Sequence, residues 1–83
     1  MTRILLCGAN GKMGHVIRSC VSQRDDMEIV AGVDLNTAGT EFPIYASIDE
    51  VTETADVIID FSNPALLDSL LAYAKRTHTP LVA

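Results

Sequence analysis

The sequence predicts an α/β fold in which a doubly wound parallel sheet carries helices on both faces. Three observations predict it. Short apolar segments alternate with stretches whose apolar residues recur at helical spacing. The first apolar segment runs into three closely spaced glycines, and an acidic residue ends the second. At 83 residues the chain is long enough for one small domain.

Composition and charge narrow the class of protein. Apolar residues make up 48% of the chain and charged residues 20%, which is a globular composition. The net charge of −5 argues against sequence-independent binding of nucleic acid, which needs a basic surface. No apolar run approaches the roughly 20 residues of a membrane span, and the N-terminus does not read as a signal peptide. We therefore expect a cytoplasmic protein without a nucleic-acid or membrane partner.

The first strand and helix flank the glycine segment, residues 8–14. Thr2–Cys7 is apolar enough for a parallel strand covered on both faces. After the glycines, apolar residues at helical spacing predict a helix with one buried stripe, whereas polar residues such as Arg18 take the solvent side. The predicted stripe comprises Met13, Val16, Ile17, Cys20 and Val21.

A second strand and a loop follow this helix. Met27–Val33 is a second apolar segment, closed by Asp34. Residues 36–43 are rich in Gly, Thr and Asn and lack periodicity, which predicts a loop. Residues 44–46 form at most a short strand.

The next segments are a short helix and a fourth strand. Ser47 stands three residues before Glu50, the spacing of a capping box, and predicts a short helix from Ile48 to about Thr52. Residues 57–61 then form another buried strand.

The last helix begins at a strong start signal, with Asn63 as N-cap and Pro64 in the first helical position. Residues 81–83 begin a fifth strand, and the expected strand order is 3-2-1-4-5. A strand of three residues is short against a mean of about five or six, so we expect a fragment truncated at strand five. The apolar face predicted for the last helix comprises Leu67, Leu70, Leu71 and Ala74.

The glycines suit a phosphate-binding turn. Gly8 permits a tight exit from the strand, Gly11 permits close approach of backbone to a phosphate, and Gly14 permits close packing of helix on strand. Asp34 follows twenty residues beyond Gly14, where a carboxylate accepts hydrogen bonds from an adenosine ribose. Together they favour a Rossmann-type dinucleotide site over a plain strand–turn–helix corner. Phe61–Ser62 either lines the same crevice or serves packing and helix capping.

Two positions bear on the choice of cofactor. Sites for NADP usually place an Arg near the acidic residue to hold the 2′-phosphate, and here Leu35 follows Asp34. This favours NADH. Lys12, at the glycine turn, either reaches a phosphate of either cofactor or is a solvated side chain.

Cysteine and histidine indicate no further chemistry. Cys7 and Cys20 lack metal-ligand spacing, and we expect two reduced, buried thiols. His15 and His78 lack Cys or carboxylate partners at ligand spacing, so no metal site is predicted.

Three segments, residues 4–14 (ILLCGANGKMG), 30–34 and 56–64 (DVIIDFSNP), closely resemble the N-terminal domain of the 4-hydroxy-tetrahydrodipicolinate (dihydrodipicolinate) reductase family. The resemblance spans essentially the whole chain. It implies an NADH- or NADPH-dependent reductase of lysine and diaminopimelate biosynthesis, acting in the cytoplasm as a homotetramer on a small cyclic imine-type substrate.

The resemblance also implies roles for residues. Asp34 holds the adenosine ribose, and many members carry an Arg directly after it, so Leu35 indicates NADH or dual use. By this resemblance, residues 1–83 are one dinucleotide-binding domain. None of these residues matches a catalytic residue of the family, because the family's catalytic and tetramer-forming segments lie beyond Ala83. The alternative is a non-catalytic module that senses NAD(H) or binds CoA, and the reading frame after Ala83 distinguishes them. The residues expected to hold the pyrophosphate are Gly8, Ala9, Asn10, Gly11, Lys12 and Met13.

Overall fold

The computed structural model describes residues 1–39 and 41–83 and confirms the predicted fold class. Parallel strands form one sheet in the order β3-β2-β1-β4-β5, with helices on both faces. Thr40, within the predicted loop, lies outside the described residues. The strands are β1 Thr2–Cys7, β2 Met27–Val33, β3 Ile44–Tyr45, β4 Val57–Asp60 and β5 Leu81–Val82, and the α-helices are α1 Lys12–Ser22 and α2 Leu67–Thr77.

The core has two layers because β1 is central and covered on both faces. Its last four residues, 4–7, are each at most 2% exposed, as expected for a strand between two parallel neighbours. Side chains alternate across a strand. Leu5 and Cys7 therefore join the cluster under α2, whereas Ile4 and Leu6 join the cluster under α1.

The face that α1 buries differs from the predicted stripe. Met13 and Val16 are 46% and 48% exposed, and Cys20, predicted to be buried, is exposed. A Cβ on Gly14 would lie 2.1 Å from the carbonyl oxygen of Gly8, so the helix backbone comes very close to the turn after β1 at this glycine. The buried face is centred on Gly14 and not on Met13, and it shifts by one residue along the helix. It comprises Gly14, Ile17, Arg18 and Val21.

Two further boundaries are corrected. The short helix after β3 is a single 3₁₀ turn, Ile48–Glu50, and does not reach Thr52. Ser47 caps it, but its hydroxyl accepts the N–H of Asp49 at 3.3 Å, and the structure gives the Glu50 N–H to the Ser47 carbonyl. The fourth strand ends at Asp60, one residue early.

The last helix starts at the predicted N-cap, Asn63, but its first turn is a 3₁₀ turn. Asn63 Oδ1 accepts the Ala65 N–H at 2.9 Å, and Pro64–Leu66 form a 3₁₀ turn that leads into α2. Leu70 is buried as predicted. Two other members of the predicted stripe, Leu67 and Leu71, are 38% and 44% exposed, and Tyr73 is buried in their place.

Candidate functional site

Gly8 and Gly14 shape the turn between β1 and α1. Gly8 has φ +81°, a left-handed conformation that glycine adopts without strain. A Cβ at Gly8 would lie 2.8 Å from the backbone carbon and oxygen of Phe61, so the turn packs directly on the segment after β4. The predicted tight exit and the predicted close packing at Gly14 are both present.

Gly11 faces outward at the start of α1. It is the N-cap of the helix and is exposed, and among the described residues a Cβ there would meet only the Gly8 carbonyl oxygen, at 3.3 Å. No side chain of the described residues caps α1, and its first turn holds no acidic residue. The first N–H groups of a helix lack intrahelical partners and carry the positive end of the dipole. This end of α1 is therefore open to an anion, with Lys12 exposed beside it.

Asp34 binds the glycine turn directly. Its Oδ2 accepts the backbone N–H of Asn10 at 2.9 Å, and its Oδ1 accepts that of Asn36 at 2.9 Å. Each carboxylate oxygen has two lone pairs, so both retain capacity for a ligand hydroxyl. The two halves of the predicted site, twenty-odd residues apart in sequence, are thus one unit. Leu35, the next residue, is 85% exposed.

Asn10 and Arg18 form a second connection that the sequence analysis missed. Asn10 Nδ2 donates to the carbonyl oxygens of Asn36 and Ala38 at 2.6 and 2.7 Å. Arg18 Nη1 donates to Asn10 Oδ1 at 2.9 Å, so Arg18 is not on the solvent side as predicted. The available signal was the position of Arg18 four residues after Gly14, on the same helical face.

A cleft lies at the carboxyl ends of the strands, where the strand order reverses between β1 and β4. Ligands of such sheets bind at this reversal. Its volume is ≈ 220 Å³, and its walls are mostly apolar with several hydroxyls. Ser62 lines it, with its N–H and hydroxyl both donated to Asp60, whereas Phe61 is 44% exposed. The lining residues are Cys7, Val33, Ala46, Ser47, Ile48, Ser62, Leu66, Ser69 and Leu70.

Cys7 contributes a wall and no reactive group. Burial, and secondarily the nearby Asp60 carboxylate, raise the pKa of the Cys7 thiol to about 12. Because the thiolate is the reactive form, Cys7 stays a neutral, inert thiol.

Among the described residues there is neither a candidate metal centre nor a helix suited to spanning a membrane. Residues 1–39 and 41–83 contain no group of three or more His, Cys, Asp or Glu side chains placed to hold a metal ion. Over the same residues, neither helix combines the length and apolar character that crossing a bilayer requires.

Sequence comparisons with known proteins agree on one family. Residues 2–83 match the family model described as "Dihydrodipicolinate reductase, N-terminus". A 4-hydroxy-tetrahydrodipicolinate reductase of Clostridium tetani is 45% identical over 83 residues, and one of Caldanaerobacter subterraneus is 42% identical over 82 residues. These alignments cover 99% of this chain but 32% and 33% of the relatives, so the chain spans about a third of their length.

A solved structure has a similar fold. A myo-inositol dehydrogenase from Corynebacterium glutamicum matches with a TM-score of 0.83 at 28% sequence identity. The match covers 98% of this chain and 27% of that chain. The fold of this chain therefore has a counterpart in part of a larger dehydrogenase.

Proposed function

This chain belongs to the family of the dihydrodipicolinate reductase N-terminus, and on that premise we propose that it is the cofactor-binding part of an NAD(P)H-dependent 4-hydroxy-tetrahydrodipicolinate reductase of lysine and diaminopimelate biosynthesis. One observation carries the proposal above all. Asp34 Oδ2 lies 2.9 Å from the Asn10 backbone nitrogen, so a ribose-binding carboxylate and a phosphate-binding turn form one surface.

The residues present fit a dinucleotide. Residues 8–13 would hold the pyrophosphate, because the uncapped N–H groups of α1 and its dipole favour negative charge there. The Asp34 carboxylate would accept hydrogen bonds from the ribose hydroxyls. The cleft would hold the adenine ring, since its walls include apolar side chains such as Val33 and Leu66. The bound cofactor would supply hydride, and this chain's part is to hold and orient it.

We further propose that the chain is one part of a larger enzyme. Residues 1–83 are one dinucleotide-binding domain, and the residues that bind the substrate and move protons lie beyond Ala83, as the greater length of the relatives suggests. Alone, the chain binds cofactor weakly and reduces no substrate. The complete enzyme is a cytoplasmic homotetramer, and NADH is its preferred cofactor, with NADPH as a second.

Calorimetric titration of the chain with NADH, NADPH and CoA tests the proposal. We expect binding of NADH, weaker binding of NADPH and none of CoA, together with no oxidation of NADH when substrate is added. Binding of CoA without NADH would favour a CoA-binding module, and absence of any dinucleotide binding would refute the assignment.

Asp34→Ala is expected to weaken NADH binding by about 1–3 kcal/mol, or about 5- to 150-fold in Kd, because a hydrogen-bonded carboxylate is lost. Asp25→Ala is the matched control, since it removes the same charge before β2, at the opposite end of the strand. Calorimetry gives both values. If Asp34→Ala binds as tightly as the parent, the ribose is held elsewhere.

Leu35→Arg is expected to shift the ratio of NADPH to NADH affinity towards NADPH, because a guanidinium binds the 2′-phosphate. The Leu35 side chain is 85% exposed, so the substitution leaves the core unchanged. Leu35→Gln controls for the loss of the apolar side chain without added charge. In the complete enzyme, an unchanged ratio of the two kcat/KM values would contradict this interpretation.

A further inference from the structure

Arg18 is a charged residue held in an enclosed place. Its side chain is 12% exposed, and its guanidinium carbon lies 5.0 Å from the centre of the Phe42 ring. Nη1 donates to Asn10 Oδ1 at 2.9 Å and lies 3.4 Å from the Ala9 carbonyl oxygen, and Nη2 donates to Glu41 at 3.0 Å. Burying a guanidinium is costly unless its donors are used. In the structure, Nη1 contacts the glycine turn and Nη2 contacts Glu41 in the loop after β2.

Asn10 makes hydrogen bonds through every polar group of its side chain. Its Oδ1 accepts from Arg18, and its Nδ2 donates to the carbonyls of Asn36 and Ala38. An arginine has donors and no acceptor, so it requires the oxygen of the Asn10 amide to face it. With the oxygen so placed, both hydrogens of Nδ2 point at the loop carbonyls.

We propose that Arg18 is a positioning residue for the dinucleotide site: acting through the Asn10 amide, it locks the glycine turn to the loop that follows Asp34. The proposal rests on the proposed function, because the consequence is measured as cofactor affinity. Arg18 approaches the turn from the Phe42 side, and its Nη1 and Nη2 contacts go to Ala9, Asn10 and Glu41 within the protein. In this proposal it holds the site in shape and does not contact the ligand. A preformed site avoids the cost of ordering two loops on binding.

The first test concerns the protein without cofactor. In ¹⁵N NMR spectra, the two Asn10 side-chain N–H signals of the parent should be shifted and protected from exchange, because both hydrogens are bonded. Arg18→Met keeps an unbranched side chain against Phe42 but removes the donors, so both signals should move towards those of a free amide. Arg24→Met is the matched control, since it removes the same charge from an exposed pair with Asp26. Unchanged Asn10 signals in Arg18→Met would overturn the proposal.

The second test is a double-mutant cycle on NADH affinity. Arg18→Met should raise the Kd about tenfold, the loss expected for one charge-assisted hydrogen bond, and Arg24→Met should leave it unchanged. In an Asn10→Ala background the same change should have less than about a twofold effect, because Arg18 then has no amide to orient. Arg18→Lys keeps a cationic donor and should recover part of the affinity.

The outcomes separate this proposal from the proposed function. A tenfold loss that persists with Asn10→Ala would mean that Arg18 attracts the phosphates directly, and it would overturn the positioning role. An equal loss in Arg18→Lys and Arg18→Met would do the same. If the parent binds no dinucleotide while its Asn10 signals respond to Arg18→Met, the proposed function fails and the orientation of Asn10 by Arg18 stands.

Discussion

Valine in place of Gly11 is expected to abolish NADH binding while the chain stays folded. Gly11 has φ −78° and ψ 175°, which is extended backbone that a β-branched residue adopts readily. Among the atoms of residues 1–39 and 41–83, a Cβ there meets only the Gly8 carbonyl oxygen, at 3.3 Å, which requires a shift of a few tenths of an ångström. The remaining bulk of valine projects from the end of α1 into the space assigned to the pyrophosphate.

Calorimetry with NADH measures the loss of binding, and a thermal melt by circular dichroism measures whether the chain stays folded. Gly11→Ala is the graded control, since one methyl group should weaken binding less than the branched side chain does. A Gly11→Val protein that melts like the parent and binds NADH as tightly would contradict the pyrophosphate assignment. The melt excludes unfolding as the cause of lost binding.

The sheet was predictable because its strands are signalled locally. β1 and β2 have the predicted bounds, Thr2–Cys7 and Met27–Val33, since each is an apolar run closed by a polar or glycine-rich turn. The strand order follows from right-handed crossovers and the position of the glycine turn. Boundaries that depend on one hydrogen bond were less predictable, as at Ile48–Glu50.

The buried face of α1 was not predictable from apolar periodicity, and the reason is physical. Apolar periodicity predicts that large apolar residues such as Met13 and Val16 face the sheet. In the structure Gly14 faces the turn after β1 instead, because its lack of a side chain lets the helix backbone come close. That choice brings Arg18 inward, and the periodic pattern gives no sign of it.

The candidate site likewise has features that the sequence predicts and features that it does not. That Asp34 and the glycine turn lie close together follows from parallel strands ending at one edge. That Asp34 accepts the Asn10 and Asn36 N–H groups, and that Arg18 orients the Asn10 amide, depends on the loop conformation. A loop conformation of this kind is set by several residues together, and no short motif encodes it.

Gly14→Ala is expected to destabilise the fold by about 3 kcal/mol or more, the upper range for overpacking. The added Cβ would lie 2.1 Å from the Gly8 carbonyl oxygen and 2.6 and 2.7 Å from the carbonyl oxygen and carbon of Ala9, and none of these backbone atoms has room to move aside. The sign of the change in unfolding free energy reports the close packing at Gly14, because in an unconstrained helix interior Gly→Ala would stabilise by about 1 kcal/mol.

For a domain of this size that loss lowers the melting temperature by about 12 °C or more, which a thermal melt by circular dichroism measures. Gly11→Ala adds the same methyl group three residues earlier, where one atom lies at 3.3 Å, and should change the melting temperature by only a few degrees. If Gly14→Ala melts with the parent, α1 lies farther from the turn after β1 than the structure places it. The inward position of Arg18 would then lose its cause, because both follow from the same close approach.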